Sequence, residues 1–450
     1  MEEQTNASIQ SPGWRGNGRS AAARDVPCVP PANGRCGGGL AEVYSAVRFF
    51  HEAEPARKGN RHRGFISMSQ RKPLNSVLIK PAGADCNMAC EYCFYLEKSG
   101  IYPKRKVHRM SIPVLEEMVR QVMQTGEPMV SFNWQGGEPT LMGLDFFRKA
   151  VAFEQQYGRD GQAVGNGFQT NGILINDEWC EFLSEYSILV GLSLDGPEHV
   201  HDRYRRDRAG RPTWERAMKA AELMSKHRVS YNILAVVNDY SAQSPKEVYT
   251  FLTQEALPSS VEERFLQFIP IVETDPETGG AAPFSVSGEV FGKFLCEIFD
   301  CWLADFRDGW PTVSIRFFDT VFHSYVGMEA PECSSMKECG PYVVVEHNGD
   351  IYSCDFFVEP EWKLGNLMND NLVDLLNSPR QQEFGRMKAT LPEPCLSCRW
   401  LKICRGGCTK DRIRDAKDNS LCHFCASFKM FFEHADAEFR RLAEKWRETH

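Results

Sequence analysis

Between residues 74 and 272 six short apolar runs alternate with helical stretches, and that order leaves few folds open. The runs cover 76–80, 129–135, 167–172, 188–195, 229–237 and 264–272. Between them, 111–126 has a Ser start, an early Pro, helical apolar spacing and a Gly stop. Residues 144–158 read as a helix ending in Gly, and 177–185, 213–226 and 244–256 are also helical. Strands that each lead into a crossover pair in parallel with right-handed connections. Six such units predict an α/β fold, either an open doubly wound sheet or a partial barrel. Both place chemistry at the C-terminal ends of the strands. Distinctive polar motifs fall there: a cysteine stretch after the first run, GGEP (136–139), QTNG (169–172), SLDG (193–196) and VNDY (237–240).

The 450 residues suit two or three domains, with 42% hydrophobic residues to fill their cores. A net charge of −8 gives no reason to expect nucleic acid or an anionic membrane as partner. No run of about 18 apolar residues is present, so no transmembrane helix is expected. The N-terminus lacks an apolar signal core, which points to the cytoplasm. Residues 1–71 are rich in Gly, Pro, Ala and Arg, have no sustained period and read as a disordered extension. Cys28 and Cys36 lie in it and receive no role, and Met68 marks an alternative start. The expected division is 72–310 for the strand–helix domain and 311–450 for a loop-rich, metal-stabilised domain closed by an amphipathic helix at 428–446.

Seventeen cysteines, mostly in tight clusters, read as metal ligands rather than disulfides in a long chain without a secretory signal. CNMACEYCFY (86–95) spaces three of them C-x3-C-x2-C: Cys86, Cys90 and Cys93. Three ligands leave one position open, as a catalytic metal site requires. The bland reading is a zinc site completed by a distant residue. His108 is in range, but its basic run, KRKVHRM, reads as solvated surface. Downstream, CLSCRWLKICRGGC (395–408) reads C-x2-C-x5-C-x3-C, and Cys333, Cys339, Cys354, Cys422 and Cys425 flank it. Structural zinc fits that spacing as well as iron–sulfur clusters do. Cys180, Cys296 and Cys301 lie in helical stretches and read as buried apolar-like residues.

The cysteine loop after the first strand resembles that of the radical S-adenosylmethionine superfamily. The resemblance implies a 4Fe–4S cluster on Cys86, Cys90 and Cys93. The fourth position would take the amino and carboxylate groups of S-adenosylmethionine, which is cleaved to a 5′-deoxyadenosyl radical. GGEP matches the family's glycine-rich segment. There Gly136 and Gly137 allow close backbone approach to the ligand, and Glu138 offers an acceptor to an ammonium group. Tyr92, Ser193, Arg205 and Leu266 match positions used around that cofactor, although solvated surface explains most arginines of HDRYRRDRAGR. The later cysteines resemble the SPASM signature, which carries two auxiliary 4Fe–4S clusters. By that resemblance Cys333, Cys339, Cys354 and Cys408 hold the first. Cys395, Cys398, Cys404 and Cys425 hold the second. Cys425 is taken over Cys422 because CASFKMFFEH resembles the family's final segment. The implied fold is a partial (β/α)6 barrel followed by the SPASM domain, with three clusters in all.

WQGGEPTLMGLDFF, SLDGPEHVHDRYR and LQFIPIVE narrow the resemblance to the anaerobic sulfatase-maturating enzymes, over roughly residues 72–435. It implies oxidation of a cysteine or serine in a sulfatase C/S-x-P-x-R segment to Cα-formylglycine. The substrate would be an unfolded or nascent sulfatase, the electron donor a flavodoxin or ferredoxin, and the enzyme a monomer. Asp355, directly after Cys354, is the candidate base. An Asp pKa of about 3.9 against about 8.5 for a thiol makes ground-state transfer uphill by about 6 kcal/mol. Proton loss must therefore accompany hydrogen abstraction or electron loss, or burial must raise the Asp pKa. The bland alternative is an Asp that only orders the cluster loop. Two other readings remain: a maturase forming thioether or carbon–carbon crosslinks in a ribosomal peptide, and a zinc-stabilised, non-catalytic binding module.

Overall fold

The computed structural model describes residues 71–102, 106–257, 264–413 and 421–449. The reading of 1–71 as an extension lies outside them, except for Arg71. Among the described residues ten strands form one sheet: β1 (Ser76–Lys80), β2 (Met129–Trp134), β3 (Ala163–Thr170), β4 (Leu189–Ser193), β5 (Tyr231–Val237), β6 (Phe265–Pro270), β7 (Ser314–Ile315), β8 (Val343–Glu346), β9 (Asp350–Tyr352) and β10 (Lys363–Asn366). Their order is β10-β9-β8-β1-β2-β3-β4-β5-β6-β7. β1 through β6 are parallel and sequential. β1 and β6 have separate outer neighbours, β8 and β7, so the six strands make a partial barrel that does not close on itself.

The helices are α1 (Ile112–Met123), α2 (Leu144–Tyr157), α3 (Asp177–Glu185), α4 (Glu198–Tyr204), α5 (Trp214–Lys226), α6 (Pro245–Phe251), α7 (Gly288–Ala304), α8 (Arg316–Val326), α9 (Pro379–Ala389) and α10 (Cys425–Thr449), with shorter turns between some of them. α1 shows why the crossovers form. Pro113 sits in its first turn, where its missing N–H costs nothing. Val114, Leu115, Met118, Val119, Val122 and Met123 make one buried stripe against the sheet. Each such side chain contributes about 1.5–3 kcal/mol on burial, so a charge at Met118 would break this face.

The part after residue 310 is less loop-like than its cysteine density suggests. α8 and α9 are regular helices, and β7 to β10 extend the sheet at both edges. α10 packs on α7 and α8 through aromatic rings: Phe318 stacks on Phe431 at 5.2 Å, and Phe299 meets Phe431 edge-on at 5.6 Å. Cys180 is buried in α3 as expected, whereas Cys296 and Cys301 in α7 are only partly buried. They lie on the flank of an amphipathic helix rather than on its core stripe.

Candidate active site

The cysteine loop follows β1 and is pinned from two sides. The backbone N–H groups of Gly137 and Glu138 donate to the carbonyls of Gly83 and Asp85, each at 2.8 Å. The N–H groups of Ala89 and Glu91 donate to Arg206 and Tyr204, and Arg208 Nε reaches the Cys86 carbonyl at 2.6 Å. The glycines of GGEP therefore serve backbone-to-backbone packing. A Cβ at Gly137 would lie 2.0 Å from the Asp85 carbonyl oxygen. Gly136 has φ +124°, and its Cβ would lie 2.9 Å from the Gly83 oxygen.

Glu138 is 1% exposed, and its carboxylate already accepts four hydrogen bonds. They come from Thr140 N (3.0 Å), Thr140 Oγ1 (2.7 Å), Thr170 Oγ1 (2.8 Å) and Asn171 N (2.9 Å). It ties the ends of β2 and β3 together. Asn171 in turn lies 3.7 Å from Cys86 Sγ through its Nδ2. Tyr92 donates to Asp195 Oδ2 at 2.5 Å, and Arg205 donates to the Tyr92 hydroxyl at 3.0 Å. Arg205 is thus buried against the loop, while Arg203, Arg206, Arg208 and Arg211 are exposed. Ser193 ends β4 and accepts from Gln169 Nε2 at 3.0 Å. Leu266 lies in β6 with its side chain in the main core. His108 is not surface: it is 3% exposed, and its ring Nδ1 lies 2.9 Å from Asp85 Oδ1. Its basic neighbours on the chain misrepresented a buried residue.

Asp355 begins a single turn, Asp355–Phe357, and is 8% exposed. Tyr342 donates to its Oδ1 at 3.2 Å, and Cys354 Sγ lies 3.4 Å from the same oxygen. This turn meets the cysteine loop directly: the rings of Phe94 and Phe356 have centroids 4.7 Å apart. Lys80, at the end of β1, lies between the two. Its burial outweighs the nearby charges of Asp355, Glu346, Cys354 and Cys93, so its pKa is lowered. Its ammonium sits 4.2 Å over the Tyr95 ring.

Cys333, Cys339, Cys354 and Cys408 act on one another electrostatically, so the structure gathers them. Cys395, Cys398, Cys404 and Cys425 line one hollow, together with Trp400 and Phe428. Cys422 does not line it and is 5% exposed beside Gly407. Burial pushes the thiols up: Cys86 and Cys333 to about 12, Cys90 and Cys404 to about 11. Such thiols keep their protons unless a metal takes their place. Among the described residues no three Cys, His, Asp or Glu groups are placed to share a single ion. Thiolates that each bind a separate iron of a 4Fe–4S cluster need no such convergence. Arg205 Nε and Asn87 Nδ2 are buried without hydrogen-bond partners among the described residues. Orphaned donors beside a three-cysteine loop suit a ligand with carboxylate oxygens.

Residues 81–252 match the radical SAM superfamily model, and 336–399 match that of an iron–sulfur cluster-binding domain. A serine-type anaerobic sulfatase-maturating enzyme of Bacteroides thetaiotaomicron is 39% identical over 381 residues, covering 81% of this chain and 89% of that one. The chain belongs to the anaerobic sulfatase-maturating enzymes. A cysteine-type anaerobic sulfatase-maturating enzyme of Clostridium perfringens is 37% identical, over 81% of this chain and 96% of its own. The solved structure of native anSMEcpe with bound AdoMet and Cp18Cys peptide superposes with a TM-score of 0.75 at 36% identity, covering 82% of this chain and 99% of that chain. As an anaerobic sulfatase-maturating enzyme, the chain is a radical S-adenosylmethionine oxidoreductase with iron–sulfur clusters. Among the described residues no helix is long and apolar enough to cross a membrane. Sequence reasoning assigned no role to Asn171, Asp195, Lys80 or Tyr342. The first two stand inside QTNG and SLDG, motifs already visible at strand ends, whereas the latter two carry no local signal.

Proposed function

We propose that this sulfatase-maturating enzyme oxidises a cysteine or serine side chain in a sulfatase C/S-x-P-x-R segment to Cα-formylglycine, with Asp355 as the base. The observation that carries the assignment of the base is the Phe94–Phe356 contact, which sets the Cys354–Asp355 turn against the cysteine loop. Bound S-adenosylmethionine and the 4Fe–4S clusters supply a hydrogen-abstracting radical and an electron acceptor. Cys86, Cys90 and Cys93 would hold the first cluster. Cys333, Cys339, Cys354 and Cys408 would hold the second, and Cys395, Cys398, Cys404 and Cys425 the third. Tyr92, Gly136, Gly137, Glu138, Ser193, Arg205 and Leu266 would form the S-adenosylmethionine site, with Glu138 fixing its loops through Thr140, Thr170 and Asn171.

Tyr342 holds Asp355 Oδ1, and Oδ2 carries no hydrogen bond among the described residues. That oxygen takes the proton from the substrate thiol or hydroxyl as the Cβ hydrogen atom leaves. An auxiliary cluster would supply the acceptor for the remaining electron, and the carbon–heteroatom bond would become double. A thioaldehyde then exchanges with water to give the aldehyde. The substrate is an unfolded or nascent sulfatase chain. The protein acts as a cytoplasmic monomer reduced by a flavodoxin or ferredoxin, with 72–310 and 311–450 as its two domains.

Asp355→Asn tests the assignment, because the amide is nearly isosteric but not a useful base. The variant should keep near-normal iron and still cleave S-adenosylmethionine, while oxidation of a C-x-P-x-R peptide falls about 100-fold or more. Deoxyadenosine would then exceed oxidised peptide in an anaerobic mass-spectrometric assay. Peptide oxidation close to wild type at intact iron would remove Asp355 from the role. Loss of iron would assign it to ordering the cluster loop.

A further inference from the structure

A buried lysine touches the loops of both auxiliary cysteine sets. Lys388, in α9, is 0% exposed. Its ammonium donates to the carbonyls of Ser334 (2.8 Å), Arg405 (3.3 Å) and Gly407 (2.5 Å). An ammonium has three N–H donors, and all three are engaged, so the group is fixed in place, although its burial lowers its pKa. The three carbonyls belong to residues next to Cys333, Cys404 and Cys408. Cys333, Cys339 and Cys408 act electrostatically on Lys388, and Lys388 acts on Cys404. One positive charge thus reaches three cysteines of one set and one of the other. Lys80, Arg412, Glu332, Asp355 and Asp411 are the other charges that face these cysteines. Arg412 caps the end of α9 through the carbonyls of Met387, Lys388 and Thr390 and acts on Cys395. Glu332, Asp355 and Asp411 bring opposing negative charge to Cys333, Cys354 and Cys408.

We infer that Lys388 tunes the reduction potential of the auxiliary clusters, holding the one on Cys333, Cys339, Cys354 and Cys408 where it can accept the electron released by substrate oxidation. The inference rests on the ligand sets proposed above. A four-thiolate cluster is anionic before it accepts an electron and more so afterwards. A cation held within reach therefore favours the reduced state over the oxidised one. The couple is a one-electron reduction of the cluster. Its electron comes from the substrate in turnover and from dithionite in a titration. Lys388 touches neither substrate nor reacting atoms, so it is a positioning residue for charge.

The test is an EPR-monitored redox titration of the full chain in which Cys86, Cys90 and Cys93 are Ala, so that only auxiliary clusters report. That background should hold about eight irons. Far fewer would refute the ligand sets rather than the role of Lys388. Lys388→Met and Lys388→Gln remove the charge, and Gln keeps two donors for the same carbonyls. In either loaded variant one midpoint should move to more negative potential by at least a tenfold change in the reduced-to-oxidised ratio, about 59 mV for one electron. Lys388→Arg should stay near the parent. A neutral variant that titrates at the parent potential overturns the inference. If neither neutral variant loads iron while Lys388→Arg does, Lys388 is a loop staple and the inference falls as well.

Discussion

Gly137→Ala puts the packing of the cysteine loop under direct strain. The added Cβ would lie 2.0 Å from the Asp85 carbonyl oxygen, 2.5 Å from its carbon and 2.8 Å from the Ala84 carbonyl carbon. Ordinary contact begins at 3.4 Å, so the two strand-end loops must part by about 1.4 Å, and the obstacle is backbone that cannot rotate away. The displacement falls on Asp85, the residue before Cys86. It stretches the two 2.8 Å hydrogen bonds from Gly137 and Glu138 that join the loops. Two such bonds at about 1 kcal/mol each, with overpacking strain of about 1–3 kcal/mol, amount to about 3–5 kcal/mol. That strain is local, so the chain should still fold and keep its auxiliary clusters. A misplacement of about 1 Å costs about 100-fold in rate. The variant should lose about four irons or, where loaded, cleave S-adenosylmethionine about 100-fold more slowly. Gly100→Ala, with nothing within 4 Å of its Cβ, is the control and should match wild type. Iron analysis and deoxyadenosine counted by mass spectrometry decide the matter. Full iron with near-normal cleavage in Gly137→Ala would refute the role of this close approach.

Anaerobically reconstituted protein should hold about twelve irons, and replacing Cys86, Cys90 and Cys93 with Ala should remove about four and abolish cofactor cleavage. Two equivalents of zinc with only about four irons in the wild type would overturn the auxiliary clusters. Burial raises the Glu154 carboxyl to about 8, against a hydrogen bond from Asn166 that favours its charged form. The folded protein therefore holds a proton there that the unfolded chain releases near 4.5. That stabilisation is complete below the unfolded value and is lost as pH rises through the folded one. Glu154→Gln should accordingly melt a few degrees above wild type at about pH 9 and close to it at about pH 5, by circular dichroism. Equal gains at both pH values would show that Glu154 is not held protonated.

The barrel was legible because its strands and crossovers are long enough to show their periods. The helix read at 177–185 is α3 to the residue, and GGEP, QTNG and SLDG sit at the ends of β2, β3 and β4. β7 to β10 were not legible, since each has only 2 to 4 residues. Val343–Glu346 is buried throughout and shows no alternation, as a strand covered on both faces should. α8 has an amphipathic pattern but was obscured by the cysteines that follow it. At the site, the ligands of a local loop announce themselves by spacing. Lys80, Tyr342 and Lys388 do not, because their neighbours lie far away along the chain. Lys80 meets Cys93 on one side and Cys354 on the other, and a strand ending in Lys says nothing of either. GGEP was found for its glycines, yet the bond from Asn171 to Glu138 that locks it comes from the next strand end.

The pairing of β8 alongside β1 has a consequence for synthesis and for dissection. The first barrel strand to leave the ribosome keeps one bare edge until Val343–Glu346 arrives, and only then do Val77 to Lys80 gain their second set of neighbours. Throughout that interval the unpaired edge is an invitation to another chain. A nascent chain arrested before residue 343, or a fragment cut near residue 310, carries that exposure permanently.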